Sequence, residues 1–329
     1  MSRTGGLVLA VVVLLGVVLL SLLAGNQWFG PRDVYLAAAD FTGSDTDRVI
    51  RYLRLPRTAT GLLAGAALGL AGALMQGVTR NVLADPGILG VNAGAAAAVV
   101  AAIGVLGIQS LTGYVWFAMG GALVATVVVY LVGAIGRGGA TPVKLALAGA
   151  ALSAMLGSVT SAATLLDLST LNEFRFWVVG SLTLANGEIV TQAVPFIAVG
   201  IFLALVLGRS LNQLALGDDL AVTLGTRVAV LRVLAGAAIV LLAGTATALA
   251  GPIGFVGLAV PHAARALVGA DYRWILPFSL VLAPTLVLLA DVLGRLVARP
   301  DELQAGIITA LVGAPLFIML VRRRTLADL

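Results

Sequence analysis

Four sets of residues in this 329-residue chain have the types and spacing to do chemistry. Arg48, Arg51, Arg54 and Arg57 recur every three residues just ahead of a long apolar run. If a helix carries that run outward, they share a face and form a basic stripe. Guanidinium groups placed this way either snorkel to lipid headgroups or pair bidentately with carboxylates of a partner. Asp291 stands inside a later apolar run, four residues before Arg295. Ionisable groups in a membrane are costly and usually paired, so an intrahelical ion pair and a proton or ion site are its two readings. The stretch from Leu214 to Gly225 includes Leu216, Gly217, Asp218, Asp219, Leu220 and Leu224. Gly217 or Asp218 can cap a short helix there, Asp219 suits its first turn, and Gly225 can end it. Leu220 and Leu224 then share one side, suited to pressing into another protein or lying on lipid. Gly61, Gly65, Gly69 and Gly72 form a tandem small-xxx-small pattern, which lets helix backbones approach closely.

Other chemistries are excluded by composition. The chain has no cysteine, which rules out disulfides and thiolate metal sites. Its one histidine, His262, follows Pro261 and reads as a packing or interface residue; no metal site is expected. A phosphate-binding loop ends in Gly-Lys-Ser/Thr, yet the single lysine, Lys144, sits between Val143 and Leu145. The chain therefore holds no ATP site of that kind, no catalytic residues are expected, and any ATP and Mg would be bound by another subunit. The net charge of +5 comes from 19 arginines and one lysine against 15 carboxylates. In a membrane protein that excess reports orientation and contact with membrane lipid rather than nucleic acid.

The elements that must position these residues are membrane helices. Hydrophobic residues make up 60% of the chain and charged residues 11%, against roughly 25% charged in a soluble domain. Ten apolar runs can be drawn, at about 7–24, 58–79, 88–108, 114–135, 144–166, 189–208, 229–250, 253–268, 274–298 and 304–321. Their length suits helices crossing a bilayer, and they lack the alternation of a barrel. The fold class is all-α and polytopic, one transmembrane domain over residues 1–329. The run from Leu7 to Ala24 is longer than a signal-peptide core and reads as an uncleaved first helix. The eighth run is short and begins at Gly251-Pro252-Ile253-Gly254, as a broken or re-entrant segment would.

An even number of crossings puts both termini on one side. Counting Arg and Lys near the ends of the runs favours cytoplasmic termini, with the Arg322-Arg323-Arg324 tail as the strongest indication. Residues 25–57 and 167–188 are then external loops, and 209–228 is a cytoplasmic segment. Arginines 32, 48, 51, 54 and 57 oppose that rule and need a reason. An inverted internal repeat is suggested by Leu63-Ala64-Gly65-Ala66-Ala67 and Leu234-Ala235-Gly236-Ala237-Ala238, five runs apart. A third copy at Leu147–Ala151 fits no repeat.

These segments together resemble the FecCD-type permeases of binding-protein-dependent importers for iron-siderophores, haem and vitamin B12. The matching residues are Arg54-Leu55-Pro56-Arg57, Gly65-Ala66-Ala67-Leu68, Gly72-Ala73-Leu74-Met75-Gln76 and Leu83-Ala84-Asp85-Pro86-Gly87-Ile88-Leu89-Gly90. Ala215-Leu216-Gly217-Asp218-Asp219 with Leu224-Gly225 is similar to the family's cytoplasmic motif, and Gly251 to Leu258 with Pro261, His262 and Arg265 to its eighth-span signature. Gly313-Ala314-Pro315-Leu316-Phe317 matches the last helix. Asn81-Val82 departs from the usual Asn-Pro, and Thr141-Pro142-Val143 is less polar than the corresponding gate of the vitamin B12 permease.

The resemblance implies a vitamin B12 permease-like fold of ten helices, in a homodimer or a heterodimer with a related permease. It also implies two cytoplasmic ATPase subunits and one external substrate-binding protein. Leu216 to Gly225 would couple to the ATPase, and Arg54, Arg57 and Arg295 would receive carboxylates of the binding protein. The fifth helix, from about Leu145, and the tenth would line the path. The expected function is translocation of ferric-siderophore complexes across the cell inner membrane by alternating access, with haem or cobalamin as alternative cargo. An ion-coupled secondary transporter using Asp291 is the competing reading.

Overall fold

A backbone surrounded by lipid must satisfy its own hydrogen bonds, and long apolar runs do so as helices. The computed structural model describes residues 2–108, 110–136 and 141–323, and among them there is no strand. Helix α1 (Arg3–Leu23) leads through α2 (Pro31–Ala39) to α3 (Asp45–Arg48), which continues through a wide π turn at Val49–Arg54 into α4 (Leu55–Thr79). A 3-10 turn at Pro86–Leu89 precedes α5 (Val91–Gly104), followed by α6 (Leu111–Ala134), α7 (Pro142–Leu166) and α8 (Leu168–Val178). Next come α9 (Gly187–Leu214), the short α10 (Asp218–Thr223), and α11 (Val228–Ile239), which runs through a second π turn at Val240–Gly244 into α12 (Thr245–Ala250). The chain ends with α13 (Val256–Val268), α14 (Tyr272–Val297) and α15 (Ala305–Arg323).

Among the described residues, seven helical segments are long and apolar enough to cross a membrane, and three shorter apolar ones complete the set: α5, α13 and Ala305–Pro315. They fall on the ten runs read from the sequence. The boundaries shift in three places. Residues 25–57 contain two helices and a π turn rather than a plain loop, and 167–188 contains α8. α9 continues to Leu214 instead of stopping near residue 208, because polar residues in its last turns find partners. Asn212 donates to Asp271 at 2.6 Å and accepts from the Tyr272 amide at 2.8 Å. Of the cationic residues used for orientation, Arg137 and Arg324 lie outside the described residues.

α4 occupies the centre. Of its most apolar stretch 83% is buried, against 11% for α7 and 17% for α1. Its four spaced glycines explain how so many helices reach it. A Cβ on Gly65 would lie 2.5 Å from the Pro284 backbone, and one on Gly69 2.5 Å from the Ala283 side chain. On Gly72 it would lie 1.9 Å from the Gly257 carbonyl oxygen, and on Gly61 2.5 Å from Leu288. Three of these neighbours belong to α14 and one to α13. Close backbone approach of this kind maximises van der Waals contact where no hydrophobic force separates helix from lipid.

α4 and the α11–α12 run are each followed by a proline-containing turn and a short helix, α5 of 14 residues and α13 of 13. Gly90 and Gly251 take left-handed φ values of 76° and 69° at those turns. The third, unmatched glycine copy has a separate reason. A Cβ on Gly149 would meet the Ile88 carbonyl at 1.7 Å, so α7 packs directly onto the turn before α5.

Candidate functional sites at the two ends of the bundle

One end of the bundle gathers arginines. A three-residue spacing drifts by about 60° per step on a 3.6-residue helix, and the π turn at Val49–Arg54 shifts the register further. The four arginines therefore do not form one stripe. Arg48 and Arg51 face outward, whereas Arg54 and Arg57 are 8% and 9% exposed. Arg51 stacks over Phe41, 5.0 Å from its centroid.

Arg57 donates through Nε to both oxygens of Asp291 at 3.0 Å and through Nη2 at 2.8 Å. Its Nη1 reaches Glu302 at 2.6 Å. Arg295, fully buried, lies 2.9 Å from Asp291 on its own helix. It also donates to the Ser21 and Ala24 carbonyls at 3.0 and 2.7 Å and to the Ser21 hydroxyl at 3.1 Å. Arg54 donates to the Ala24 and Gln27 carbonyls. Arg54, Arg57 and Arg295 thus gather in one cluster that ties α4 and α14 to the end of α1. Asp291 has both oxygens occupied by guanidinium donors, so it is built as an ion-pair centre rather than an open ion site.

Beside the cluster lies a cavity of about 460 Å³, bordered by Arg54, Arg57, Tyr52, Gln27, Thr183 and Glu302. Glu302 was not marked by the sequence. It lies 245 residues from Arg57, and the only available hint is that it is acidic and in the last connection on the arginine end. On the same side α8 is capped by Asp167, whose carboxyl is lowered to about 2 by hydrogen bonds from Thr170 and Ser169.

The opposite end carries α10. Gly217 precedes it at φ 110° and Gly225 follows at φ 86°, values that only glycine adopts without strain. Ala221 is fully buried, while Leu216, Leu220, Val222 and Leu224 are 60%, 55%, 60% and 54% exposed. Asp218 accepts from Arg232 of α11 at 2.9 Å and lies 3.4 Å from Arg80, the left-handed cap of α4. These two partners were missed in the sequence, for nothing local connects residues 80, 218 and 232. Thr226 donates to Gln213, closing the loop onto α9. Asp219 falls in the first turn of α10. The result is a short apolar knob whose base is pinned by charge to the central helix. At this end Asp271 caps α14 and its carboxyl is held well below the usual carboxylate range, chiefly by the Arg273 side chain and also by Asn212, against the opposing effect of burial.

Among the described residues no three His, Cys, Asp or Glu side chains gather as a metal site. His262 lies on α13 one residue after Pro261, and its side chain is partly buried there.

Comparison with known proteins agrees with this architecture. A model of the FecCD transport family matches residues 12–323. The ferric enterobactin transport system permease protein FepD of Escherichia coli K12 is 47% identical over 93% of this chain and 91% of its own length. The probable siderophore transport system permease protein YfiZ of Bacillus subtilis is 40% identical over 96% and 95%. A solved structure described as inward-facing, and assigned to the metal-chelate type of ABC transporter, superposes with a TM-score of 0.86 at 30% identity, covering 98% of this chain and all of that one. With ten apolar helical segments among the described residues, a glycine-lined one of them at the centre, and a family match over nearly its whole length, this multi-pass membrane chain belongs to the FecCD transport family.

Proposed function

We propose that this chain is the permease subunit of a binding-protein-dependent importer that moves ferric-siderophore complexes across the cell inner membrane. The observation that carries the reading is α10. Four large apolar side chains stand in the open on this helix and its two flanks, and its Asp218 pairs with Arg80 at the end of the central helix. A push on that knob reaches α4 directly, which is what a chain without its own phosphate-binding loop needs. Two cytoplasmic ATPase subunits would supply the push through Leu216 to Gly225. An ATPase can shift the outward- and inward-open arrangements only by contacts that differ between them. Cytoplasmic termini follow from this placement of α10.

The arginine end is then external, and it is the proposed seat of the substrate-binding protein. Arg54 and Arg57 border the cavity and would meet its carboxylates, while Arg295 supports them from behind through Asp291. α7, with only 11% of its apolar window buried, would be covered by a second permease chain, either identical or related, and would line the path with the tenth helix. Ferric siderophore is favoured as cargo because relatives named for ferric enterobactin and iron-hydroxamate match at 47% and 40% identity, against 38% and 37% for those named for cobalamin and hemin. The occupied oxygens of Asp291 disfavour an ion-coupled transporter.

The test is reconstitution in liposomes with and without the cognate ATPase and binding protein. Substrate-stimulated ATP hydrolysis and uptake should appear only with all components and vanish when residues 218–225 are deleted. Uptake by this chain alone under a proton or sodium gradient would overturn the reading.

A further inference from the structure

α6, α9, α11 and α12 leave an apolar groove of about 650 Å³ between them. It runs from Trp116 to Tyr130 on α6, 14 residues or about 21 Å at 1.5 Å per residue, more than the roughly 15 Å depth of one leaflet. Its floor is cut away at Gly120 and Gly236, where an added Cβ would meet nothing within 4 Å. The π turn at Val240–Gly244 widens it, contributing Val240, Leu241 and Gly244 to the wall. Its rim, including Leu123, Val127, Leu131 and Val233, is 46% to 61% exposed and wholly apolar.

The mouth differs from the rest. Arg232 and Tyr130 stand there, at the α10 end, and both also border a second cavity of about 70 Å³ that continues toward α4. Arg232 and Arg80 share the single carboxylate of Asp218, so the mouth carries surplus positive charge. A half-exposed tyrosine beside an arginine is the pairing found at headgroup level.

We propose that this groove is a lipid site, holding one acyl chain of an anionic phospholipid with its phosphate against Arg232. The apolar length selects an acyl chain and the surplus charge selects an anionic head. Because Arg232 also holds Asp218, the bound phosphate and the base of α10 share one guanidinium.

Native mass spectrometry of the full-length protein in mild detergent tests this, with phosphatidylglycerol and phosphatidylcholine of identical acyl chains added in turn. One phosphatidylglycerol should be retained at about fivefold lower concentration than phosphatidylcholine, the ratio expected for about 1 kcal/mol from one arginine near the headgroups. Gly120→Leu and Gly236→Leu should each lose that molecule, and Arg232→Gln should keep one lipid but lose the preference. Inorganic phosphate should not displace it. Equal retention of both lipids by the wild type, displacement by phosphate alone, or groove-filled variants that keep the lipid and change oligomeric state would each overturn the proposal. Quenching of Trp116 by acyl-brominated phosphatidylglycerol, read as the part of the signal lost in Trp116→Phe while the other three tryptophans remain, gives a second measurement on the wild-type groove that needs neither glycine variant. No difference in quenching between those two proteins would count equally against the site.

Discussion

Arg57 grips Asp291 with three hydrogen bonds of 2.8 to 3.0 Å, although 234 residues separate them in the chain. The pair ties the start of α4 to the last third of α14, and Arg295 closes it from the other side. Three arginines and two carboxylates, Asp291 and Glu302, make a charged knot in an otherwise apolar bundle.

Removing the carboxylate should therefore unfold the protein rather than uncouple it. Asp291→Ala leaves the buried Arg295 without a counter-ion and Arg57 with Glu302 alone, and breaking such a buried pair costs about 3–5 kcal/mol. Thermal unfolding in detergent should show a large drop in Tm, while Glu302→Gln, at a partly exposed partner, should lower it far less. If Asp291→Ala keeps wild-type Tm and loses only transport, the pair is not structural.

The central glycines divide sharply from a peripheral one. Gly72→Ala forces a Cβ against the Gly257 carbonyl, and overpacking of this kind costs about 1–3 kcal/mol or more. Gly16→Ala on the lipid-facing α1 meets nothing within 4 Å and should be neutral or gain up to about 1 kcal/mol of helix propensity. Folded yield after membrane extraction compares the two, and equal yields would contradict the packing described.

α10 should act in binding without contributing to stability. Leu220 is 55% exposed, so Leu220→Ala should leave Tm unchanged. It should weaken association with the ATPase partner about 30-fold, if about 2 kcal/mol of apolar burial is lost at the contact. Leu224→Ala should behave the same way. A fall in Tm with unchanged association would remove α10 from the interface.

Asp271 supplies a pH signature. Its folded-state carboxyl lies below the ordinary value because Arg273 and Asn212 hold the ionised form. The stabilisation is present at pH values above the ordinary carboxylate range near 3.9 and is lost progressively as pH falls toward the lower folded value. Asp271→Ala should cost about 1 kcal/mol, the usual worth of a helix cap, between pH 5 and 8. Unfolding curves of the two proteins should converge below about pH 4; a constant gap down to pH 2 would refute the assignment.

The sequence by itself determined the class of the protein and the positions of the ten apolar helical segments found among the described residues. Span length, apolar content and the sparse charges answer directly to bilayer thickness, a one-dimensional constraint. The short α10 was legible for the same reason, since Gly217, Asp218 and Gly225 act through backbone geometry within a few residues. The glycine series marked a face of close approach, but only packing decided that Gly65 and Gly69 meet α14 while Gly72 meets α13.

Tertiary structure alone decided the charge network. Spacing suggested that Arg48 to Arg57 form one outward stripe, yet a π turn and the inward pull of Asp291 split the set in two. Glu302 for Arg57, and Arg80 with Arg232 for Asp218, could not be read from sequence. Coulombic partners are chosen by proximity in space, and neither local propensity nor hydrophobic period carries that information. The lipid groove has the same origin, for it exists only where four helices fail to fill the space between them.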